Sequence, residues 1–331
     1  MLVYACCHAR TNIWFAKKSR ERYAESMKDS SAPVVLKLTK VTKKYGKSRG
    51  IEDVNLEVVQ GEVFGFLGPN GAGKSTTINT ILDLLRANSG TITVLGLDAH
   101  KNSVEVRKRI GYLSGDMTTD LGLTGKQYLD YARHLHGGVD TTYMKELVER
   151  LRCETNKKIK SLSRGNRQKI GLVAALMHDP ELLILDEPTS GLDPLVQNEF
   201  NEIIRERKKR GKTTFMSSHV LSEVQAVCDR VGFIRDGKLL RVANLAELLD
   251  NTPSHIDVVY KDNAPDTQLK SLKGVEHLQI HGKRRQFTFR GNYNELIRIL
   301  AMKQIDDLQI VEPQLDELFM RYYHSKEKLD V

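Results

Sequence analysis

The sequence has no long apolar run. In a chain of 331 residues the longest uninterrupted one extends from Leu172 to Met177, whereas a membrane-spanning helix needs about 20 apolar residues. Residues 1–26 carry scattered positive charge and also lack the continuous apolar core of a signal peptide. The sequence therefore predicts no membrane span and gives little support to a targeting segment.

Cysteines and aromatic residues are scarce as well. The four cysteines are spaced for neither a zinc site nor a disulfide framework, so a reducing cytosol is the expected compartment. Aromatic residues make up 6% of the chain and do not alternate with basic ones in the ladder that stacks bases. The net charge of +9 can indicate nucleic acid, an anionic membrane surface or a phosphate ligand, or simply a solvated basic surface. No nucleic-acid partner is expected.

Residues 34–250 show alternating strand and helix patterns. Apolar runs such as 61–68 and 181–186 are typical of buried strands, and 75–86 has helical spacing. This alternation predicts an α/β fold with a mostly parallel sheet and helices on its faces. Residues 103–165 are more polar and helical in pattern, so we expect them to form an inserted helical subdomain.

The two ends of the chain differ from this central part. Residues 251–331 predict a small accessory α+β domain with a terminal helix. The order β-α-β-β-α-β over 255–312 is the ferredoxin-like one. Residues 1–33 predict either a disordered extension or a start codon placed too early, with Met27 as the true start.

One motif predicts a phosphate-binding loop. The stretch "GPNGAGKST" (68–76) fits G-x-x-x-x-G-K-[ST] and lies between a predicted strand and a predicted helix. Glycines let backbone N–H groups converge on phosphate oxygens, and the helix N-terminus favours an anion there. Lys74 should reach the β- and γ-phosphates of a nucleotide, and the Ser75 hydroxyl should bind Mg²⁺. The predicted nucleotide-binding residues of the loop are Gly68, Asn70, Gly71, Gly73, Lys74, Ser75 and Thr76.

A second motif, "LLILDEP" (182–188), places two carboxylates directly after a buried strand. Ligands of α/β sheets bind at the carboxyl ends of strands, so Asp186 is predicted to hold Mg²⁺, usually through water. Glu187 follows and is predicted to polarise an attacking water. The alternative is that both acids cap a helix.

With three further motifs the chain resembles the ATP-binding subunit of ABC transporters, specifically of small two-component exporters. The further motifs are "LSRGNRQK" (162–169), "SGLD" (190–193) and the histidine in "SSHVLSE" (217–223). The resemblance covers about residues 34–250. It implies an ABC-type P-loop NTPase fold, Mg²⁺-dependent ATP hydrolysis and a separate membrane permease. The chain is then expected in the cytoplasm, peripheral on the inner face of the cell membrane through that permease.

The resemblance also implies a second nucleotide-binding subunit, with a homodimer expected. In the family two such domains stack head to tail, and each ATP lies between the phosphate loop of one and the signature motif of the other. Ser163 and the N–H of Gly165 would therefore bind the γ-phosphate held by the partner. Asp193 would couple the two sites.

Other roles follow from the same resemblance. Lys74, Glu187 and His219 are the expected catalytic residues, with His219 contacting the γ-phosphate and orienting Glu187. Tyr45 lies about where the family places an aromatic ring that stacks on adenine.

Two positions depart from the family pattern. Arg164 stands where glycine is usual, and it would either contact an anion or face solvent. After "IGYL" (110–113) the family usually has a glutamine that touches Mg²⁺, but the aligned residue is Gly115. We expect Asp116 to supply an oxygen for the metal instead.

Two other functions remain open at this point. The chain could be a soluble ABC ATPase acting on ribosomes or DNA, although it has one phosphate loop and no long coiled coil. It could also be a nucleotide-binding regulator without turnover, which the presence of Glu187 and His219 disfavours.

Overall fold

A computed structural model describes residues 32–46, 48–115, 122–250 and 253–311. The chain divides into two compact units, of which the first ends at Leu245 and the second begins at Ala246. Within the described ranges no helix has the length and apolarity to cross a membrane. The predictions for residues 1–31 and for a helix after residue 311 lie outside the described residues.

The first unit contains ten strands and seven α-helices within its described residues. In chain order they are β1 (Val34–Tyr45), β2 (Ser48–Val59), β3 (Val63–Leu67), α1 (Lys74–Ile81), β4 (Ser89–Val94), β5 (Leu97–Asp98), α2 (Ser103–Arg109), β6 (Ile110–Leu113), α3 (Gly125–Leu135), α4 (Thr141–Arg150), a 3-10 turn (Ile159–Ser161), α5 (Arg164–Leu176), β7 (Leu182–Asp186), α6 (Pro194–Lys209), β8 (Thr213–Ser218), α7 (Leu221–Val227), β9 (Arg230–Arg235) and β10 (Lys238–Asn244).

The central sheet has the strand order β10-β9-β3-β8-β7-β6. Its strands from β9 to β6 are parallel, whereas β10 forms an antiparallel hairpin with β9. Every residue of β3 and β7 is buried, as expected for strands covered on both faces. The carboxyl ends of β3, β6, β7 and β8 therefore meet at one edge, which confirms the predicted parallel sheet.

A second, antiparallel sheet has the order β2-β1-β4-β5. Its side chains share one apolar core with the central sheet: Leu36 and Val54 pack in the same cluster as Phe64, Ile78 and Phe215. This core holds α1, and with it the loop at residues 68–73, between the two sheets.

Two predicted boundaries differ from the structure. The predicted helical segment 103–165 contains β6, which pairs with β7 in the central sheet because Ile110 and Leu113 are buried there. Helix α1 ends at Ile81 rather than near residue 86. Asp83 adopts a left-handed conformation (φ 53°) that the helix cannot continue through.

The second unit is a four-stranded antiparallel sheet with two helices. Helix α8 (Leu245–Asp250) spans the boundary between the units, and the elements that follow are β11 (Ser254–Tyr260), α9 (Asp266–Ser271), β12 (Val275–His281), β13 (Arg284–Phe289), α10 (Tyr293–Leu300) and β14 (Ile305–Val311). The strand order is β12-β13-β11-β14. Ile256, Phe287, Phe289 and Leu296 belong to its core. This is the β-α-β-β-α-β order that the sequence predicts.

Candidate active site

The loop between β3 and α1 has a backbone that requires glycine. Gly71 and Gly73 have φ angles of 79° and 109°, in the region that L-residues rarely adopt. A Cβ at Gly68 would lie 2.3 Å from the carbonyl oxygen of Ile234. Helix α1 begins directly after Gly73, so its first N–H groups, which have no acceptor within the helix, face the loop. These features together make a cradle for an anion.

The loop residues differ in exposure. Asn70, Gly71 and Ser75 are exposed, Gly73 and Thr76 are partly buried, and Gly68 and Lys74 are buried. The Lys74 ammonium donates hydrogen bonds to the carbonyl oxygens of Gly68 (2.8 Å) and Pro69 (3.1 Å). The buried cation thus lies over the loop, where a phosphate would meet it.

An open cleft of about 330 Å³ adjoins the loop. Three walls enclose it: the first turns of α1, the residues around the end of β6 and the end of β7. The residues that line it are Ser75, Asn79, Tyr112, Ser114, Gly115, Asp186 and Glu187.

Asp186 ends strand β7 and is 6% exposed. Its Oδ1 accepts a hydrogen bond of 2.5 Å from the Ser217 hydroxyl on β8, which fixes the carboxylate. Ser75 lines the same cleft. A hydroxyl and a carboxylate suit Mg²⁺, which binds few protein oxygens and completes its octahedron with water and substrate phosphates. Among the residues that the structure describes, no group of three or more His, Cys, Asp or Glu is arranged to hold a metal ion.

Glu187 has a left-handed backbone (φ 47°), which costs about 1–3 kcal/mol for a residue other than glycine. Its N–H donates to the Ser217 hydroxyl at 3.1 Å. Its carboxylate Oε1 lies 3.3 Å from the Lys74 ammonium and 3.2 Å from Nδ1 of His219. The structure thus brings together the three residues that the sequence predicts to be catalytic, and Glu187 faces the cleft.

The signature turn, residues 162–165, lies at the start of α5. The Ser163 hydroxyl caps this helix by accepting a hydrogen bond from the N–H of Asn166 at 3.2 Å. Ser163 and Arg164 are exposed and do not line the cleft. Gly165 packs so closely on the next segment that a Cβ there would lie 2.2 Å from the carbonyl oxygen of Gly191.

Sequence analysis missed a role for Gln168. Its side chain is 2% exposed and donates hydrogen bonds to the carbonyl oxygens of Glu187 (3.1 Å) and Pro188 (3.4 Å). The amide therefore ties helix α5 to the backbone that carries the Glu187 carboxylate. The sequence feature that could have indicated this role is the glutamine itself, two positions before the buried apolar run that begins at Ile170.

Two more predicted residues lie elsewhere, and a third is outside the described residues. Asp193 caps α6 by accepting a hydrogen bond from the N–H of Val196 (3.0 Å), which lowers the pKa of its carboxyl. Tyr45 ends β1 and is 42% exposed, with the Lys43 ammonium 5.6 Å from its ring centre. Asp116 lies outside the described residues, but its neighbour Gly115 lines the cleft.

The fold and this cleft define a P-loop ATPase domain, and comparisons with known proteins specify its family. The family described as "ABC transporter" matches residues 51–190. The bacitracin transport ATP-binding protein BcrA of Bacillus licheniformis is 34% identical over 295 residues, which are 87% of this chain and 96% of that protein. The linearmycin resistance ATP-binding protein LnrL of Bacillus subtilis is 30% identical over 302 residues, which are 86% and 97% of the two chains.

A solved structure, "Structure of ATP binding subunit of ABC transporter", superposes with a TM-score of 0.60 at 28% identity, covering 65% of this chain and 91% of that one. The chain therefore belongs to the family of ABC transporter ATP-binding proteins. It binds ATP with Mg²⁺ and hydrolyses it to power a separate permease, as the sequence predicted. ATP-binding subunits of this family dimerise and pair with membrane permeases.

Proposed function

We propose that two copies of this chain drive an exporter by closing head to tail around ATP. The observation that carries this proposal is the separation of two sets of groups. Lys74, Glu187 and His219 form one contact cluster at the cleft, whereas the Ser163 hydroxyl is exposed at a helix start and does not line it. A second copy would bring its own Ser163 and Gly165 N–H to the γ-phosphate.

Within one copy the residues have distinct tasks. The loop N–H groups and Lys74 would hold the phosphates, and Ser75 and Asp186 would hold Mg²⁺. When bound, Mg²⁺ supplies positive charge that neutralises the phosphate oxygens. Glu187 would accept a proton from the attacking water, while His219 keeps its carboxylate in place. Tyr45 would stack on the adenine ring, and Asp193 would couple the two sites of the dimer.

Export is supported by the relatives, whose names refer to bacitracin transport and to linearmycin resistance. The permease would select the cargo and hold the ATPase at the inner face of the cell membrane. In this scheme residues 34–250 are the ATPase domain, with a helical subdomain that docks on the permease. Residues 251–331 are an accessory domain.

Affinity purification of the tagged chain from membrane extracts tests the partner. We expect the Glu187→Gln variant to purify with the permease and to form a stable dimer in ATP, seen by light scattering. A protein that stays single in ATP, or that purifies with ribosomes or DNA instead, would contradict the proposal.

A further inference from the structure

Gly115 leaves one wall of the cleft open. A Cβ at this position would lie 3.4 Å from the carbonyl oxygen of Asp186 and 3.5 Å from its Cγ and Oδ2. Any side chain here would therefore rest on the Asp186 carboxylate. With glycine, the side of that carboxylate opposite the Ser217 hydrogen bond faces the cleft without cover from residue 115.

Three polar side chains line the cleft beside this gap. The Tyr112 hydroxyl donates a long hydrogen bond of 3.4 Å to Oδ1 of Asn79, and it also hydrogen-bonds with the Ser114 hydroxyl. Burial raises the pKa of the Tyr112 phenol, so it keeps its proton and remains a donor. Asn79 lies one turn after Ser75, on the same face of α1. This cluster thus connects the helix that carries Ser75 to the strand end beside Asp186.

The chemistry of the cleft calls for groups that hold water. Mg²⁺ demands six oxygens in near-ideal octahedral geometry and keeps several waters. The side chains of Ser75 and Asp186 have three oxygens between them, so at least three of the six positions belong to water and phosphate. Metal-bound waters donate hydrogen bonds, and the oxygens of Asn79 and Ser114 are acceptors in the same cleft.

We propose that Asn79 and Ser114 hold magnesium-bound water against Asp186, and that Tyr112 is the positioning residue that fixes both. The inference rests on the proposed Mg²⁺–ATP site. In it, these three side chains act at the part of the cleft wall where residue 115 has no side chain. It differs from the expectation for Asp116, because it needs no oxygen from that residue.

The test measures Mg²⁺ affinity rather than turnover. A fluorescent, non-hydrolysable ATP analogue is bound to the full chain, and Mg²⁺ is titrated from an EDTA baseline. The double variant Asn79→Leu, Ser114→Ala should need about 10-fold more Mg²⁺ for half-maximal response, because losing outer-shell partners weakens metal binding 10–100-fold. Nucleotide affinity in EDTA should stay unchanged. Tyr112→Phe should shift the titration in the same direction, and adding it to the double variant should cause little further change.

Two matched variants complete the design. Ser271→Ala, a serine of the second unit, should leave the titration as in the wild type. Gly115→Gln would place an amide oxygen in the gap, so the Asn79 and Ser114 substitutions should matter less in that background.

Wild-type Mg²⁺ affinity in the double variant would overturn the inference. So would an equal loss of nucleotide affinity in EDTA, because the cluster would then be structural. A loss of Mg²⁺ affinity in Asp116→Ala but not in the double variant would assign the role to Asp116 instead. Failure of the proposed dimer mechanism would be seen in Ser163 variants and not in this titration, because the cleft lies within one copy.

Discussion

The cleft and the signature turn differ in what their polar side chains contact. In the cleft, charged groups contact each other: Glu187 lies between Lys74 and His219, and Asp186 accepts a hydrogen bond from Ser217. In the turn, Ser163 and Arg164 are exposed, and the serine oxygen serves its own helix as a cap. The first arrangement suits a ligand held within one copy, whereas the second suits a ligand that arrives on another molecule.

The largest expected effect lies in the cleft. Glu187→Gln removes the proposed proton acceptor, so ATP hydrolysis should fall by about 10²–10⁴-fold. Binding of ATP should persist, because the amide keeps the side-chain shape and Lys74 loses a competing carboxylate. Phosphate release and equilibrium nucleotide binding measure the two effects separately. Retained hydrolysis would place the base elsewhere.

In the turn, substitutions at Ser163 should lower hydrolysis but spare nucleotide binding by a single copy. Ser163→Ala should reduce turnover by about 100-fold, as for the loss of one donor to a developing anion. It should also destabilise the protein by about 1 kcal/mol, because α5 loses its cap.

Ser163→Asp separates these two roles. An aspartate caps a helix as well as serine does, so unfolding by urea should return to the wild-type midpoint. Hydrolysis should remain low because the carboxylate would face the partner's γ-phosphate. Wild-type turnover in this variant would show that the turn does not meet phosphate.

A smaller effect is expected at Gln168, whose side chain joins helix α5 to the backbone of Glu187. Gln168→Met keeps the side-chain length but removes the donor to the carbonyl oxygens of Glu187 and Pro188. Unsatisfied buried groups cost about 1–3 kcal/mol, so the free energy of unfolding should fall by that amount. Turnover should fall by about 10-fold with unchanged nucleotide affinity, since a misplaced carboxylate loses catalytic geometry.

Gln279→Met is the control for this variant, because Gln279 is exposed on β12 of the second unit. Equal losses of turnover in the two variants would show that the hydrogen bonds of Gln168 are not needed for hydrolysis.

The smallest effect concerns the other end of α5 and depends on pH. The rings of His178 and His136 stack at 3.7 Å, and burial, with a smaller contribution from His136, lowers the pKa of His178 to about 4. The folded protein therefore keeps His178 neutral, while the unfolded chain takes up a proton near pH 6.5. This stability is present above pH 6.5 and is lost as the pH falls towards 4.

His178→Asn should therefore flatten the decline of the melting temperature between pH 7 and pH 4.5, without changing hydrolysis at neutral pH. An unchanged slope would show that other groups cause the acid sensitivity.

Local sequence patterns were enough to select the residues of the loop and of the strand end that adjoin the cleft. The glycine-rich loop between strand and helix, and the carboxylates after an apolar strand, are consecutive in sequence and need no tertiary information. The sequence showed that Gly115 departs from the family pattern, which has glutamine there. Its position against Asp186 could not be predicted, because it depends on the pairing of β6 with β7. Gln168 could not be assigned, because its partners lie nineteen and twenty residues further along the chain. The end of α1 was also missed, since nothing local to Asp83 demands a left-handed residue.

The contact of Gly165 with the Gly191 carbonyl bears on protein engineering. Since a Cβ at Gly165 has no room and Gly191 has a left-handed backbone (φ 77°) that strains any side chain, a combinatorial library aimed at orthogonal subunit pairs should leave both glycines untouched. Arg164 lies beside them in solvent and offers the place for diversification. In the proposed head-to-tail dimer, variation confined to that one codon would change a side chain beside the partner's ATP while the scaffold beneath stays intact.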